Sequence, residues 1–132
     1  MAQADPTPMA AVRQFIEGFN TAQTELALAV CADEMSIIDD FPPHEWVGPG
    51  AAAAWFGRMA WFSQEFGMSE PAVTLLEPRH VVINDGHAYL VVPIHCRWLD
   101  NGAPEQRGGS MTLALRDGEV GWRISALACT WD

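Results

Sequence analysis

An α+β fold, with helices on one face of an antiparallel sheet, follows from a change of period along the chain. As far as about residue 67 the apolar residues recur mainly at helical spacing; beyond it they alternate, in runs punctuated by Asn84-Asp85-Gly86 and Asp117-Gly118. The 132 residues, 49% of them hydrophobic and including six Trp and six Phe, are enough for one domain with a real core. No repeat, linker or low-complexity tract divides them, so a single domain over 1–132 is expected, with 1–7 as a short flexible tail.

Thr7-Pro8 reads as an N-cap followed by proline at the first helical position. Met9, Val12, Ile16 and Phe19 then form one helical face, with Phe15 beside it. Thr21 can cap a second helix over roughly 22–32, with Leu26, Ala29 and Val30 inward, and the short link at Asn20 makes the two helices neighbours. Residues 35–39 predict a short strand. It runs into Asp39 and Asp40, a double-proline turn, and a loop carrying His44, Glu45 and Trp46. Pro49-Gly50 opens a third helix bearing Trp55, Phe56, Met59 and Phe62, and Gly67 is its natural stop.

Val73, Leu75, Val81 and Ile83 predict a long strand interrupted at Pro78, and Asn84-Asp85-Gly86 a hairpin into a strand over 87–99. After a polar loop over 100–108, in which Gly108-Gly109-Ser110 is only the start of a strand, Met111–Leu115 form the next one. Asp117-Gly118 turns into the last strand, 121–131, where Leu127, Cys129 and Trp131 lie opposite Ala126, Ala128 and Thr130. Both final strands are apolar on two faces, whereas a sheet with one wet face alternates cleanly. One face is expected to meet the helices and the other a second copy, giving a homodimer through the outer face of the sheet.

Composition removes several function classes. A net charge of −10 argues against nucleic-acid and anionic-membrane partners. All seven basic residues are arginine, so Schiff-base lysines and lysine-type phosphate loops are excluded. Cys31, Cys96 and Cys129 are widely spaced with no CxxC pair, and read as buried thiols of a reducing compartment. The four histidines have neither HxH nor HExxH spacing, and no dinucleotide fingerprint or GxSxG elbow occurs, so no metal and no cofactor is expected. The N-terminus lacks the basic and apolar regions of a signal peptide, and no run reaches membrane-spanning length; a soluble cytoplasmic protein is the default expectation.

Chemistry concentrates in Ser36-Ile37-Ile38-Asp39-Asp40. A carboxylate at the end of a buried strand is costly unless a partner, water or function keeps it there. Asp39 is the candidate for catalysis or ligand contact, against a strand-end cap or a partner for Arg97; Asp40 reads as part of the turn. Trp46 either covers a pocket mouth or packs on the third helix or a dimer partner. Trp55 and Met59 are core first and pocket wall second.

The element order, with Val30-Cys31-Ala32-Asp33-Glu34-Met35-Ser36-Ile37-Ile38-Asp39 and the closing Gly121-Trp122-Arg123-Ile124-Ser125, resembles the NTF2-like superfamily, which includes ketosteroid isomerases and SnoaL-type cyclases. The resemblance implies a cone: three N-terminal helices packed on a curved, mostly antiparallel sheet that encloses a pocket. It implies that Asp39 sits where the isomerases hold their general base, Phe15 where their oxyanion-hole tyrosine sits, and Thr112 where their protonated aspartic acid sits. Phenylalanine cannot donate and threonine is a far weaker acid. Losing one such donor costs on the order of a hundredfold in rate, so authentic ketosteroid isomerase activity is not expected.

The resemblance also implies that Val91, Pro93, His95 and Arg97 share the pocket face, with His95 assisting Asp39 and Arg97 holding a ligand oxygen. The opposing reading makes His95 a structural histidine. A bulge at Pro93 would turn it out of the pocket. Trp46, Trp55, Met59, Val91, Thr112 and Ala128 complete the expected ligand contacts. Two functions stand side by side. One is a pocket that binds a small, largely hydrophobic molecule, with cofactor-free isomerisation, cyclisation or dehydration by Asp39 and His95; the other is a non-catalytic ligand-binding or dimerisation module.

Overall fold

In the computed structural model, which describes residues 7–132, Thr7 caps α1 (Pro8–Asn20) by accepting from the Ala10 N–H. The expected tail therefore lies outside the described residues except for Thr7. Ala11, Val12, Phe15 and Ile16 form the buried face of α1. Gly18 lets α2 (Thr24–Leu28) approach closely, since a Cβ there would lie 2.6 Å from the Ala27 backbone nitrogen. Helix α2 is shorter than expected because β1 (Cys31–Ile38) claims its last turn. The Ile124 N–H donates to the Val30 carbonyl at 2.8 Å, beginning a parallel ladder with the final strand. Thr21 closes α1 instead of capping α2, its hydroxyl donating to the Glu17 carbonyl.

The expected loop after β1 contains a strand, β2 (Glu45–Pro49), paired antiparallel with β1 from Ile38↔Glu45 to Glu34↔Pro49. The hairpin tip holds the cis Pro42–Pro43 peptide. Gly50 leads into α3 (Ala51–Glu65), which buries Ala51, Ala52 and Trp55. The long strand expected after it is two strands, β3 (Met68–Leu75) and β4 (His80–Asn84). Both run along β5 (His87–Asp100), with pairs Leu75↔Ile94 and His80↔Val91 marking the break.

That break explains why Pro93 makes no bulge, and β5 pairs without a register shift along its whole length with β6 (Ala103–Gly118). The Pro93 carbonyl accepts from the Leu76 N–H, so its missing donor faces the gap between β3 and β4 and no ladder bond is lost. The expected polar loop over 100–108 is mostly strand; the turn is confined to Asn101-Gly102, both at positive φ. The final strand, β7 (Gly121–Trp131), completes the open sheet in the order β2-β1-β7-β6-β5-β3, with β4 also on β5.

Helices α1 and α3 cover one face. The side chains buried beneath them are Ala88, Leu90, Val92 and Ile94 of β5, Met111, Leu113 and Leu115 of β6, and Ile37 of β1. This phase corrects the expectation for β5: Val91, Pro93, His95 and Arg97 alternate with the buried set and point to the opposite, outer face. Thr112 and Ala128, paired with each other on β6 and β7, lie outside as well. The cause is hydrophobic selection, since the even-numbered side chains of β5 are the more apolar set and the helices bury them. No helix among the described residues is long and apolar enough to cross a membrane.

Candidate functional site

The alternation that buries Met35 and Ile37 carries Asp39 onto the same inner face, where it is 4% exposed. Its N–H donates to the His44 carbonyl and closes the β1–β2 hairpin. Its carboxylate is held from three sides. Oδ1 accepts from the Asp40 backbone N–H at 2.8 Å and from Trp131 Nε1 at 3.1 Å, and Oδ2 accepts from Trp55 Nε1 at 3.1 Å. Burial pushes the Asp39 carboxyl above its ordinary value; the three donors pull it down, and the neighbouring Asp40 charge adds to the rise.

Trp55 comes from α3, stacked on Phe15 of α1 with ring centroids 5.9 Å apart and 12° between planes. Trp131 comes from the last residue of β7, and its reach depends on β6. Gly109 is paired with Trp131, and a Cβ at Gly109 would lie 2.8 Å from the indole ring. The missing side chain is what lets the ring lie across the strand. Cys129 stands next to Asp39 on the same strand face, and burial together with the Asp39 carboxylate holds its thiol protonated, well above the ordinary range. Asp40 meets Arg107 at 3.5 Å; the Arg107 Nε donates to the Asp132 carbonyl, and its guanidinium lies 5.8 Å from the Trp131 ring centroid.

Asp39, Asp40, Trp55, Arg107, Cys129 and Trp131 line a cavity of about 240 Å³ between α1, α3 and the sheet. Phe15 and Phe19 of α1 and Trp55 and Met59 of α3 make one wall, while Ile94, Cys96 and Trp98 of β5 and Met111 of β6 make another. Ser63 of α3 and Ser69 of β3 also line it. Among the described residues no group of three or more His, Cys, Asp or Glu is placed to hold a metal.

Of the residues singled out in the sequence, Asp39, Phe15, Trp55 and Met59 are brought together at this cavity. Trp46 is buried on Phe41, centroids 5.2 Å apart, and so backs a residue of the cavity wall. His95, Val91, Arg97, Thr112 and Ala128 are not part of it, and Arg97 borders a separate depression with Glu70 and Glu105. Neither the expected Asp39–His95 pairing nor the expected Asp39–Arg97 pairing forms, because β5 presents its other face to the cavity. Trp131, Cys129, Arg107 and Gly109 join the site without having been expected in it. The signal for the first two was present in the period-two set Leu127, Cys129, Trp131; for Gly109 there was none, since its role depends on a neighbouring strand.

No protein-family model and no curated protein matches the sequence. Solved structures do match in fold. A ketosteroid isomerase-like protein from Erwinia carotovora atroseptica superposes with a TM-score of 0.71 at 16% identity, over 93% of this chain and 92% of that one. An NTF2-like superfamily protein from Salmonella enterica gives 0.75 at 16% identity, over 92% and 85%. The CaMKII hub of S. rosetta gives 0.78 at 11% identity, over 99% and 100%. The fold is NTF2-like, as the element order implied.

Proposed function

We propose that this domain binds a small, largely hydrophobic molecule in its internal cavity and uses Asp39 as the group that accepts a proton or hydrogen bond from it. The observation that carries the reading is a buried carboxylate in the lining of an apolar cavity, held by two indole N–H groups. Side chains that serve only stability rarely leave a charge in such a place. With only neutral donors on it and no cation bonded to it among the described residues, this carboxylate is the cavity group able to take up a proton. The raised carboxyl makes it a stronger base than an ordinary aspartate. Cofactor-free isomerisation, cyclisation or dehydration are the reactions such a group suits. His95 has no part in this scheme, and Phe15 supplies no donor for an oxyanion.

The experiment is a binding screen read by indole fluorescence, because Trp55, Trp98 and Trp131 all border the cavity. Compounds that bind are then offered to the wild type and to Asp39→Asn. Turnover that falls by about a hundredfold or more in the variant supports the base assignment; turnover that ignores the substitution rejects it. A non-catalytic module remains the second reading, favoured by the outer sheet face. There Val91, Pro93, Thr112, Ala126 and Ala128 form a half-buried apolar strip that suits a second copy of the chain.

A further inference from the structure

The charges around the cavity do not balance. Its charged lining residues are Asp39, Asp40 and Arg107, and Arg107 is already engaged by Asp40 and the Asp132 carbonyl. One carboxylate is left over, and it is the buried one. The donors on the Asp39 carboxylate are neutral: two indoles, a backbone amide and the Cys129 thiol. The charged neighbour that bears on it is another carboxylate, Asp40. A buried anion without a counter-ion is destabilising, and a cation placed beside it removes that cost. The remaining lining is unusually suited to such a cation: Phe15, Phe19, Phe41, Trp55, Trp98 and Trp131 all border the cavity. Aromatic faces attract ammonium groups, most strongly where water is excluded. The net charge of −10 further concentrates cations around the protein.

We propose that the cavity is a site for a lipophilic ammonium ion, an aromatic or alicyclic amine whose charged nitrogen pairs with Asp39 among the aromatic side chains while its apolar body fills the rest. The proposal rests on the reading of this cavity as a ligand site and narrows it to a substrate class. The size fits: a cavity of about 150 Å³ is enough to hold benzene, and the 240 Å³ here leaves room for a ring carrying a short amino chain. It also predicts rejection of carboxylic acids, which would bring a second anion to Asp39.

Three shape-matched probes test it by calorimetry: 2-phenylethylammonium, 2-phenylethanol and 3-phenylpropionate. At neutral pH the ammonium is expected to bind at least about tenfold more tightly than the alcohol, with the acid weakest. Asp39→Asn should abolish the preference, bringing the ammonium's affinity to within about twofold of the alcohol's in the same variant. The wild type supplies an independent check. The titratable groups facing the site are Asp39, Asp40, Cys96 and Cys129, with Arg107 as fixed charge. The thiols are held protonated, so acidification that protonates Asp39 should weaken the ammonium and spare the alcohol. Equal affinity for ammonium and alcohol overturns the proposal while leaving the cavity reading intact, as does a preference that survives Asp39→Asn. Failure of all three probes to bind overturns both.

Discussion

Two indole N–H groups from α3 and β7 converge on one carboxylate, and the properties of Asp39 are set by the balance between their pull and the cost of burial. Replacing Trp131 by Phe removes a donor from a charged acceptor; the expected cost is about 1–3 kcal/mol in denaturant unfolding, with Asp39 titrating higher still in carbon-detected NMR. The pH dependence has a definite sign. An acid whose folded-state value lies above the unfolded one is destabilising once ionised, so its penalty appears as pH rises from the ordinary value of 3.8 through the raised one. Wild type should therefore lose stability relative to Asp39→Asn over that interval, and a parallel pair of stability curves would refute the burial account. Asp39 was legible in the sequence because Met35, Ile37 and Asp39 share one parity. The inward parity of Trp131 is legible in the same way, but its pairing with Asp39, 92 residues away, is not.

Among the elements, β5 and β6 decide which residues reach the cavity, and the decision is testable on adjacent positions. Leu113 is 1% exposed beneath the helices, whereas Thr112 faces the other side. Leu113→Ala should cost about 2–5 kcal/mol through the lost burial and the cavity left behind. Thr112→Ala should stay within about 0.5 kcal/mol, and thermal unfolding of the two variants measures the contrast. His95→Ala belongs to the same comparison, since a residue on the outer face should leave ligand affinity unchanged while Asp39→Asn alters it. One side chain ties edge strand β3 to α1 by two hydrogen bonds: the Asn20 amide donates to the Val73 carbonyl and accepts from its N–H, both at 2.8 Å. Asn20→Ala should cost about 1–2 kcal/mol and raise amide exchange at Val73. In the sequence Asn20 is legible only as a link, because a side chain imitating a strand partner leaves no periodic trace.

The whole molecule turns an apolar outer sheet face to its surroundings. Ala126 and Ala128 of β7 and Thr112 and Ala114 of β6 are small and half-buried there, and Val82 and Tyr89, paired across β4 and β5, are exposed on the same face. A sheet face of this composition should associate with its equivalent in a second copy. Light scattering at micromolar concentration is expected to give twice the chain mass, falling to a monomer in Ala128→Glu, whose buried charge would lie across the interface. A monomeric wild type would remove the homodimer and, with it, the main support for a dimerisation module.

Local chemistry fixed the kinds of element in this chain: capping at Thr7-Pro8, the Asn84-Asp85-Gly86 hairpin, the alternation that follows, and a carboxylate carried inward by the parity of β1. Those signals act over a few residues, so they are written in the sequence. What they could not settle was phase and partnership. Whether Leu90 or Val91 faced the helices, whether Pro93 broke its ladder, and whether Asp39 met a histidine or two indoles depended on strands and helices competing for the same buried face. That competition is won by total apolar area and by space, such as the gap that Gly109 leaves for Trp131, and both are properties of the packed molecule.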